Sequence, residues 1–396
     1  REGSVIVGGT NNSTISGYYG PSFRNTFIGG GSNNKIESYG LAFLGGGSLN
    51  TISGAYHNTI VGGQSNKITG GCSFIGGGSD NTNSGYYSFI GGGTKNTASA
   101  ARTFIGGGSC NQATGTNSSI VGGTLNTASA ACTFIGGGSN NIASGSYSSV
   151  VGGTLNTASS ACSFIGGGVN NKIDTTFRSG SVIVGGTNNS TISGYSPGPT
   201  FANTFIGGGD NNKIESFGNA FLGGGQLNTI SGYYNNVIVG GLNNKNSGYN
   251  SFIGGGDRNT NSGYCSSIVG GTLNTASSVH NFIGGGLCNQ ATALNSSVVG
   301  GCNNIASGSY SSVVGGTKNI ASGSCSFIGG GNSNIANGSN SSVLGSFSNT
   351  ASAEFSAIVG GACNHIQSTH VRSFIVGSNI ISHAACTTHV NNLTVS

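Results

Sequence analysis

Apolar residues in this chain come in adjacent pairs that run into glycine. There are twenty-four such pairs, and wherever the first member is Phe three glycines follow, as in Phe104-Ile105-Gly106-Gly107-Gly108. Wherever it is Val or Ile there is no third glycine, as in Val150-Val151-Gly152-Gly153-Thr154, and each kind accounts for twelve pairs. So strict a coupling implies that the first apolar residue and the third glycine position share one space, a large ring needing a side-chain-free, conformationally permissive backbone beside it. Each pair predicts a short strand and each run of glycines a turn. Three residues after the last glycine stands an Asn in 22 of the 24 rungs, among them Asn111, Asn126, Asn141, Asn156 and Asn171. Two residues further a small or branched apolar residue recurs, at Ile36, Ala128, Ala143, Ala158 and Ile173, which predicts a second inward strand.

Measured between first glycines, the spacing is mostly 14 to 17 residues, with outliers of 21, 19 and 22. In several stretches a Phe rung followed by a Val or Ile rung gives 16 and the return gives 14, a 30-residue double module. A larger duplication lies above it. Gly3-Ser4-Val5-Ile6-Val7-Gly8-Gly9-Thr10-Asn11-Asn12 recurs from Gly180 to Asn189, and Ile36-Glu37-Ser38 recurs as Ile214-Glu215-Ser216. Short fixed periods of this kind predict an all-β parallel solenoid of about 24 rungs, in which each unit buries its apolar residues by stacking on its neighbours. Residues 1–178 form a first array, 179–377 a second, and 378–396 a C-terminal strand or linker segment. At roughly 4.8 Å per rung the stack predicts a rod of about 115 Å.

Side chains alternate across a strand, so one residue of each apolar pair fills the coil and the other faces outward. An outward stripe of that length calls for a partner, most simply copies of the same chain around an axis. The alternative is that both residues enter one wide coil through a bulge at the glycines. The repeated Asn predicts a ladder of amides bonded to one another and to turn backbone.

Composition supports a coil of strands and excludes other classes. The chain has 78 glycines but only three prolines and no Gly-X-Y period, so it is not collagen. Gly, Asn, Ser, Thr and β-branched residues are poor helix formers, and no apolar period of 3.6 appears. Charged residues make up 5% and the net charge of +5 is scattered, which argues against nucleic acid. No apolar stretch approaches the roughly 20 residues that span a bilayer, so no membrane insertion is expected. There is no signal peptide pattern, and a start at Arg1 suggests a processed product or a fragment.

Candidate chemistry is sparse. The acidic residues, Asp210 and Glu215 among them, recur at rung positions otherwise filled by Ser or Asn, as tolerated surface sites do. Gly76 to Asn81 superficially resembles a calcium-binding repeat loop, but the regular Asp is missing from nearly every rung. The glycine turns lack the Lys of a phosphate-binding loop. His365, His370, His383 and His389 lie near Cys363 and Cys386 at the C-terminal end, where an axial metal is conceivable on a trimer; their spacing matches no motif, and surface histidines are the preferred reading. The ten cysteines reuse rung positions; Cys132 and Cys162 are two rungs apart, roughly 9.6 Å, too far for a disulfide. They read as small buried thiols, suited to assembly in a reducing cytosol. No catalytic residue, metal or cofactor is expected.

Rungs such as Ser163-Phe164-Ile165-Gly166 and Ser149-Val150-Val151-Gly152 resemble the head repeats of YadA-type trimeric autotransporter adhesins. That resemblance, over residues 3 to 377, implies a left-handed parallel β-roll with three chains packed around an axis. This chain differs in placing Phe or Val where the family usually has a small residue. The C-terminal stretch from Ile375 through Thr387-Thr388-His389-Val390-Asn391-Asn392-Leu393 resembles segments that end β-roll arrays in tail-fibre-like proteins of phages and large DNA viruses. In such proteins a trimerising chaperone domain commonly follows.

Two insertions hold all three prolines: Gly17 to Arg24 and Gly194 to Phe201. Stacked rungs cannot absorb extra residues, so these become surface loops. Tyr18, Tyr19, Phe23, Arg24, Tyr195 and Phe201 are the candidate binding residues, for a host-surface glycan or protein receptor, with a capping or spacer role as the alternative. The sequence thus reads as a non-enzymatic homotrimeric fibre or shaft, structural or adhesive, on a virion or cell surface. An ice-binding solenoid is the runner-up, against which the uneven rung lengths and Thr positions speak; a bacterial adhesin head is a further alternative, and a fibre-borne depolymerase is disfavoured by the scarcity of acids.

Overall fold

The computed structural model describes residues 3–15, 25–38, 40–174, 180–192, 203–216 and 218–391. Among them every regular element is a β-strand, and no helix is long and apolar enough to cross a membrane. The chain divides into two compact units, Arg1–Thr191 and Ile192–Ser396. Each is a parallel β-solenoid whose rungs contribute one short strand to each of two ladders. In the first unit one ladder runs from Ser4–Ile6 to Val182–Ile183 and the other from Ser13–Thr14 to Ser190–Ile192. In the second they run from Thr204–Ile206 to Thr388–Val390 and from Lys213–Ile214 to His365–Ile366. The ladders are called here the Phe sheet and the Thr sheet, after their commonest outward residues. The C-terminal strand Thr388–Val390 extends the Phe sheet by pairing in parallel with Phe374–Val376.

Strand register corrects the double module. Phe104 pairs with Ser119 and Ile105 with Ile120; beyond the strands Ser109 bridges to Thr124. The rungs through the middle of each unit are therefore equal, and the Asn that marks each of them recurs at 15 residues. The alternation of 16 and 14 arises because the first glycine of a Phe rung, Gly106, stands level with Val121 and not with Gly122.

Alternation across the strands settles where the apolar pairs go. Ile105 and Ile120 are fully buried, while Phe104 is 38% exposed and Val121 51%. One residue of each pair thus enters the coil and one faces out, as alternation requires. Opposite the inner Ile column, the Thr sheet points Ile36, Ile52 and Ile68 inward at the start of the first unit and Ala98, Ala113, Ala128, Ala143 and Ala158 further on, all buried. Asn83, Asn246 and Asn261 occupy the same inner position, which the periodic reading missed. Each donates its amide to two backbone carbonyls, Asn83 to Phe74 at 3.2 Å and Ser88 at 3.1 Å, and so replaces an apolar contact with satisfied polar ones.

The recurring Asn after the turn forms a ladder along one edge of the interior. Asn126 Nδ2 donates to the Gly122 carbonyl of its own rung at 3.1 Å and to the Gly138 carbonyl of the next at 3.0 Å; its Oδ1 accepts the backbone N–H of Asn141 at 2.9 Å. Both protons and the oxygen of a fully buried amide are thereby used. The bonds run chiefly to backbone, with direct amide-to-amide contacts only at some steps, such as Asn81 to Asn66 at 3.0 Å.

Each rung turns its corners through left-handed residues. In the rung of Phe104 these are Gly108 at φ 92°, Cys110 at 56° and Asn117 at 58°. Gly108 stands level with Gly123, φ 90°, where an added Cβ would fall on the carbonyl of Gly138, so glycine is favoured here in Phe and Val rungs alike, with Ser346 at φ 75° as an exception.

Replacing Asn126 by Ala strands the buried N–H of Asn141 and removes a bond from the carbonyls of Gly122 and Gly138, which predicts a loss of about 1–3 kcal/mol. The neighbouring outward Thr127, changed to Ala, should cost less than about 0.5 kcal/mol. Denaturant titration of the two variants compares them; equal losses would remove the ladder from its central role.

Candidate functional site

The outward surface of the Phe sheet has two columns, since residues i and i+2 of a strand point the same way. In the rung of Ile105 they are Phe104 and Gly106; in the next rung they are Ser119 and Val121. Most rungs place a bulky apolar group on the surface, Phe in the first column or Val in the second, and a few, such as Val182-Ile183-Val184 and Val237-Ile238-Val239, fill both. At Gly106 an added Cβ would run into the carbonyl oxygen of Val121 and lie 3.4 Å from Cε1 of Phe104, because the ring leans over the glycine. The partner of the Phe is therefore the first glycine of the run, and the expectation that it is the third is corrected. Phe74, Phe89 and Phe104 stack with centroids 5.0 and 5.2 Å apart, and Phe27 on Phe43 and Phe205 on Phe221 each at 5.2 Å. In this frame one rung breaks the coupling, Phe374-Ile375-Val376, and there the ladder shifts register between Ile358 and Gly360.

No charged side chain projects from this sheet between Val5 and Val376 among the described residues. The charges lie elsewhere. Lys35–Glu37, Lys172–Asp174 and Lys213–Glu215 are ion pairs at 2.5, 2.8 and 2.5 Å across the outward Thr sheet, and Arg258 pairs with Asp257 at 2.9 Å at a turn. A hydrogen bond and the charge of Asp257 raise the Arg258 guanidinium above its ordinary pKa. An open hollow of about 320 Å³ lies against the Phe sheet between Phe27, Phe43, Leu41 and His57.

Other sequence-level candidates do not assemble. Tyr18, Tyr19, Phe23, Arg24, Tyr195 and Phe201 lie outside the described residues. Glu215 is held by Lys213, and Asp210 accepts from Asn211 at 2.8 Å and Gln226 at 3.2 Å, so the two carboxylates face different partners. His383 packs edge-on against His389 at 5.3 Å, His370 bonds Ser382 at 2.7 Å, and no three His, Cys, Asp or Glu side chains gather into a metal-holding group among the described residues.

The cysteines are free, as expected, but their burial is corrected. All ten are half-buried or exposed. Nine of them, from Cys72 to Cys386, occupy left-handed corners, and Cys302 sits in the bridge to Leu287. A corner residue directs its side chain off the edge of the coil, where no second layer covers it.

Missed altogether was an aromatic column on one corner edge of the second unit, Tyr234, Tyr249, Tyr264 and His280. The signal was present in the spacing of Tyr249 and Tyr264, which are one rung apart.

The Phe–Gly coupling is testable by exchange. Gly106→Val should destabilise by about 2 kcal/mol or more through overpacking against the Val121 carbonyl and the ring of Phe104. The double variant Phe104→Ser with Gly106→Val recreates the surface of the next rung and should recover at least about 1 kcal/mol relative to additivity. Additive losses in a double-mutant cycle would mean that the Val121 carbonyl, and not the Phe ring, excludes a side chain at Gly106.

No protein-family model matches this sequence, and comparison with curated proteins finds no similar one.

Proposed function

We propose that this chain is a structural shaft segment that assembles with further copies of itself through the Phe sheet. The observation that carries the reading is the uncharged, outward apolar surface of that sheet, repeated on every rung of both units while the charges stay on the turns, corners and Thr sheet. Twelve rungs at roughly 4.8 Å, with a strand of about 10 Å across, make a strip on the order of 500–600 Å² per unit. Such a strip lies at the upper end of the largest apolar patch that a soluble monomer exposes, and two per chain reach the area of a stable interface, about 800 Å² per partner. Depletion of charge is what the centre of such an interface needs.

Three copies around an axis is the arrangement favoured by the resemblance to YadA-type heads. A parallel trimer would carry the equal rungs of each copy at equal height and give a rigid spacer of a virion fibre or cell-surface appendage. Whether such a fibre also adheres depends on surfaces other than the Phe sheet, which the assembly covers. The second reading is the ice-binding solenoid. It gains from the equal rungs, which align outward Ser and Thr hydroxyls from Ser53 to Ser159 in one column, and so weaken the objection from uneven rung length. Lys35, Lys67, Gln112 and Lys172 interrupt the neighbouring column of the same face, and for that reason the spacer is preferred.

Sedimentation equilibrium should give about three times the chain mass of 38.9 kDa. Placing Asp at Val121, Val151 and Val269 together should yield insoluble or unfolded chains, since the face cannot then be covered. A stable, soluble monomer of the unaltered chain that binds no apolar dye overturns the proposal.

A further inference from the structure

On the second unit, a parallel ladder brings tyrosines from successive rungs into direct ring contact. Tyr233 bridges to Tyr249 and Tyr249 to Tyr264 in the backbone. The ring of Tyr249 lies 4.7 Å from that of Tyr234 and 4.7 Å from that of Tyr264, the latter inclined by only 18°. His280 closes the column edge-on, 6.4 Å from Tyr264. Tyr234 and Tyr264 are exposed and Tyr249 is half-buried between them. Partial burial, then the neighbouring Tyr234, Tyr264 and Cys265, raise the Tyr249 phenol above its ordinary pKa.

The duplication supplies a contrast. Residues 178 positions earlier are Tyr56, Gly71 and Tyr86, so the first unit keeps the outer tyrosines and has glycine in the middle. Two rungs, roughly 9.6 Å, then separate the rings. Among the described residues no other two tyrosines form a ring contact.

We propose that Tyr234, Tyr249 and Tyr264 are a site of oxidative tyrosine–tyrosine coupling, which ties consecutive rungs of the second unit together. The co-reactant is a one-electron oxidant of the peroxidase class supplied with hydrogen peroxide. Each of two phenols gives up one electron and its hydroxyl proton. The two phenoxyl radicals join through one C–C bond between carbons ortho to the oxygens, and the two displaced ring hydrogens return to the oxygens. In sum two tyrosines and one H₂O₂ give one dityrosine and two H₂O. The fold contributes proximity: an in-register parallel ladder holds the second phenol beside the first, so coupling competes with diffusion of a second molecule.

Trypsin can separate the three residues. Cleavage after Lys213, Lys245, Arg258 and Lys318 places Tyr234, Tyr249 and Tyr264 on different peptides. The intact protein is treated with peroxidase and hydrogen peroxide, digested, and read by mass spectrometry and dityrosine fluorescence. The expected products are the peptide of Tyr249 joined to that of Tyr234 or Tyr264, each lighter than the sum of its parts by two hydrogens. Tyr249→Phe, with unchanged circular dichroism, should lower the dityrosine yield at least tenfold, and Tyr56 should not couple to Tyr86. Because a thiol beside the stack can return hydrogen to a phenoxyl radical, Cys265→Ser is treated in parallel. Absence of the joined peptides from both proteins, or an undiminished yield in Tyr249→Phe, overturns the proposal.

Discussion

A coil with two short strands per rung has little interior, and its polar backbone decides whether it stands. Every rung makes a tight glycine turn, and each turn must tie its polar groups to those of the rungs beside it. The column of Asn amides meets that need, each side chain joining two glycine carbonyls in successive rungs and accepting the next backbone N–H. An amide is the only group of this size that offers two donors and an acceptor without charge. Asp would present carboxylate oxygens to carbonyl oxygens, and Ser would reach one partner. The remaining features follow from this fixed edge. With the turn anchored at one depth, the strand before it and the strand after it have fixed registers, and the Ile and Ala columns meet across a constant gap.

The same constraint explains how the outward face can vary more widely than the inward one. Ile105, Ile120 and Ile135 repeat without change. Outside, a rung carries Phe with Gly or a small residue with Val, and both versions leave a similar apolar bulk above the sheet. The Phe rings stack along the axis where Phe rungs adjoin, at about the ladder spacing. Substituting one version for the other leaves the Asn column and inner Ile untouched, so rung types can be mixed without disturbing the stack.

Much of this was legible in the sequence. The strand pair, the Asn column and the inward Ala128, Ala143 and Ala158 follow from alternation and repetition alone. The true frame did not, because glycine is the most conspicuous residue and Gly106 hides the position that Val121 occupies; only pairing reveals that the two are level. The cysteine corners escaped for another reason. Left-handed backbone ordinarily selects Gly or Asn, and nothing about Cys110 or Cys132 in the sequence announces it. Tyr249 and Tyr264 were visible as a spacing, but their contact depends on both lying on the same corner edge. The proline-bearing insertions, on which the sequence placed recognition, stand outside the repeat and draw no support from its logic.

What differs between the two units follows where the fold places its demands. Many buried and Phe-sheet positions repeat from one unit to the other: Ile36 matches Ile214, Phe43 matches Phe221, and the Lys35–Glu37 ion pair matches Lys213–Glu215, although Asn246 stands for Ile68 and Ser267 for Phe89. At the corners the copies part as well, as Gly71 against Tyr249 illustrates, while the neighbouring Tyr86 and Tyr264 keep the same residue. A corner side chain leaves the coil edgewise and touches only the rungs directly above and below, so exchanging it costs the interior nothing. Chemistry new to one unit is therefore free to arise at the corners, and it arises in columns, because a parallel ladder turns any residue repeated at one rung position into a line of neighbours.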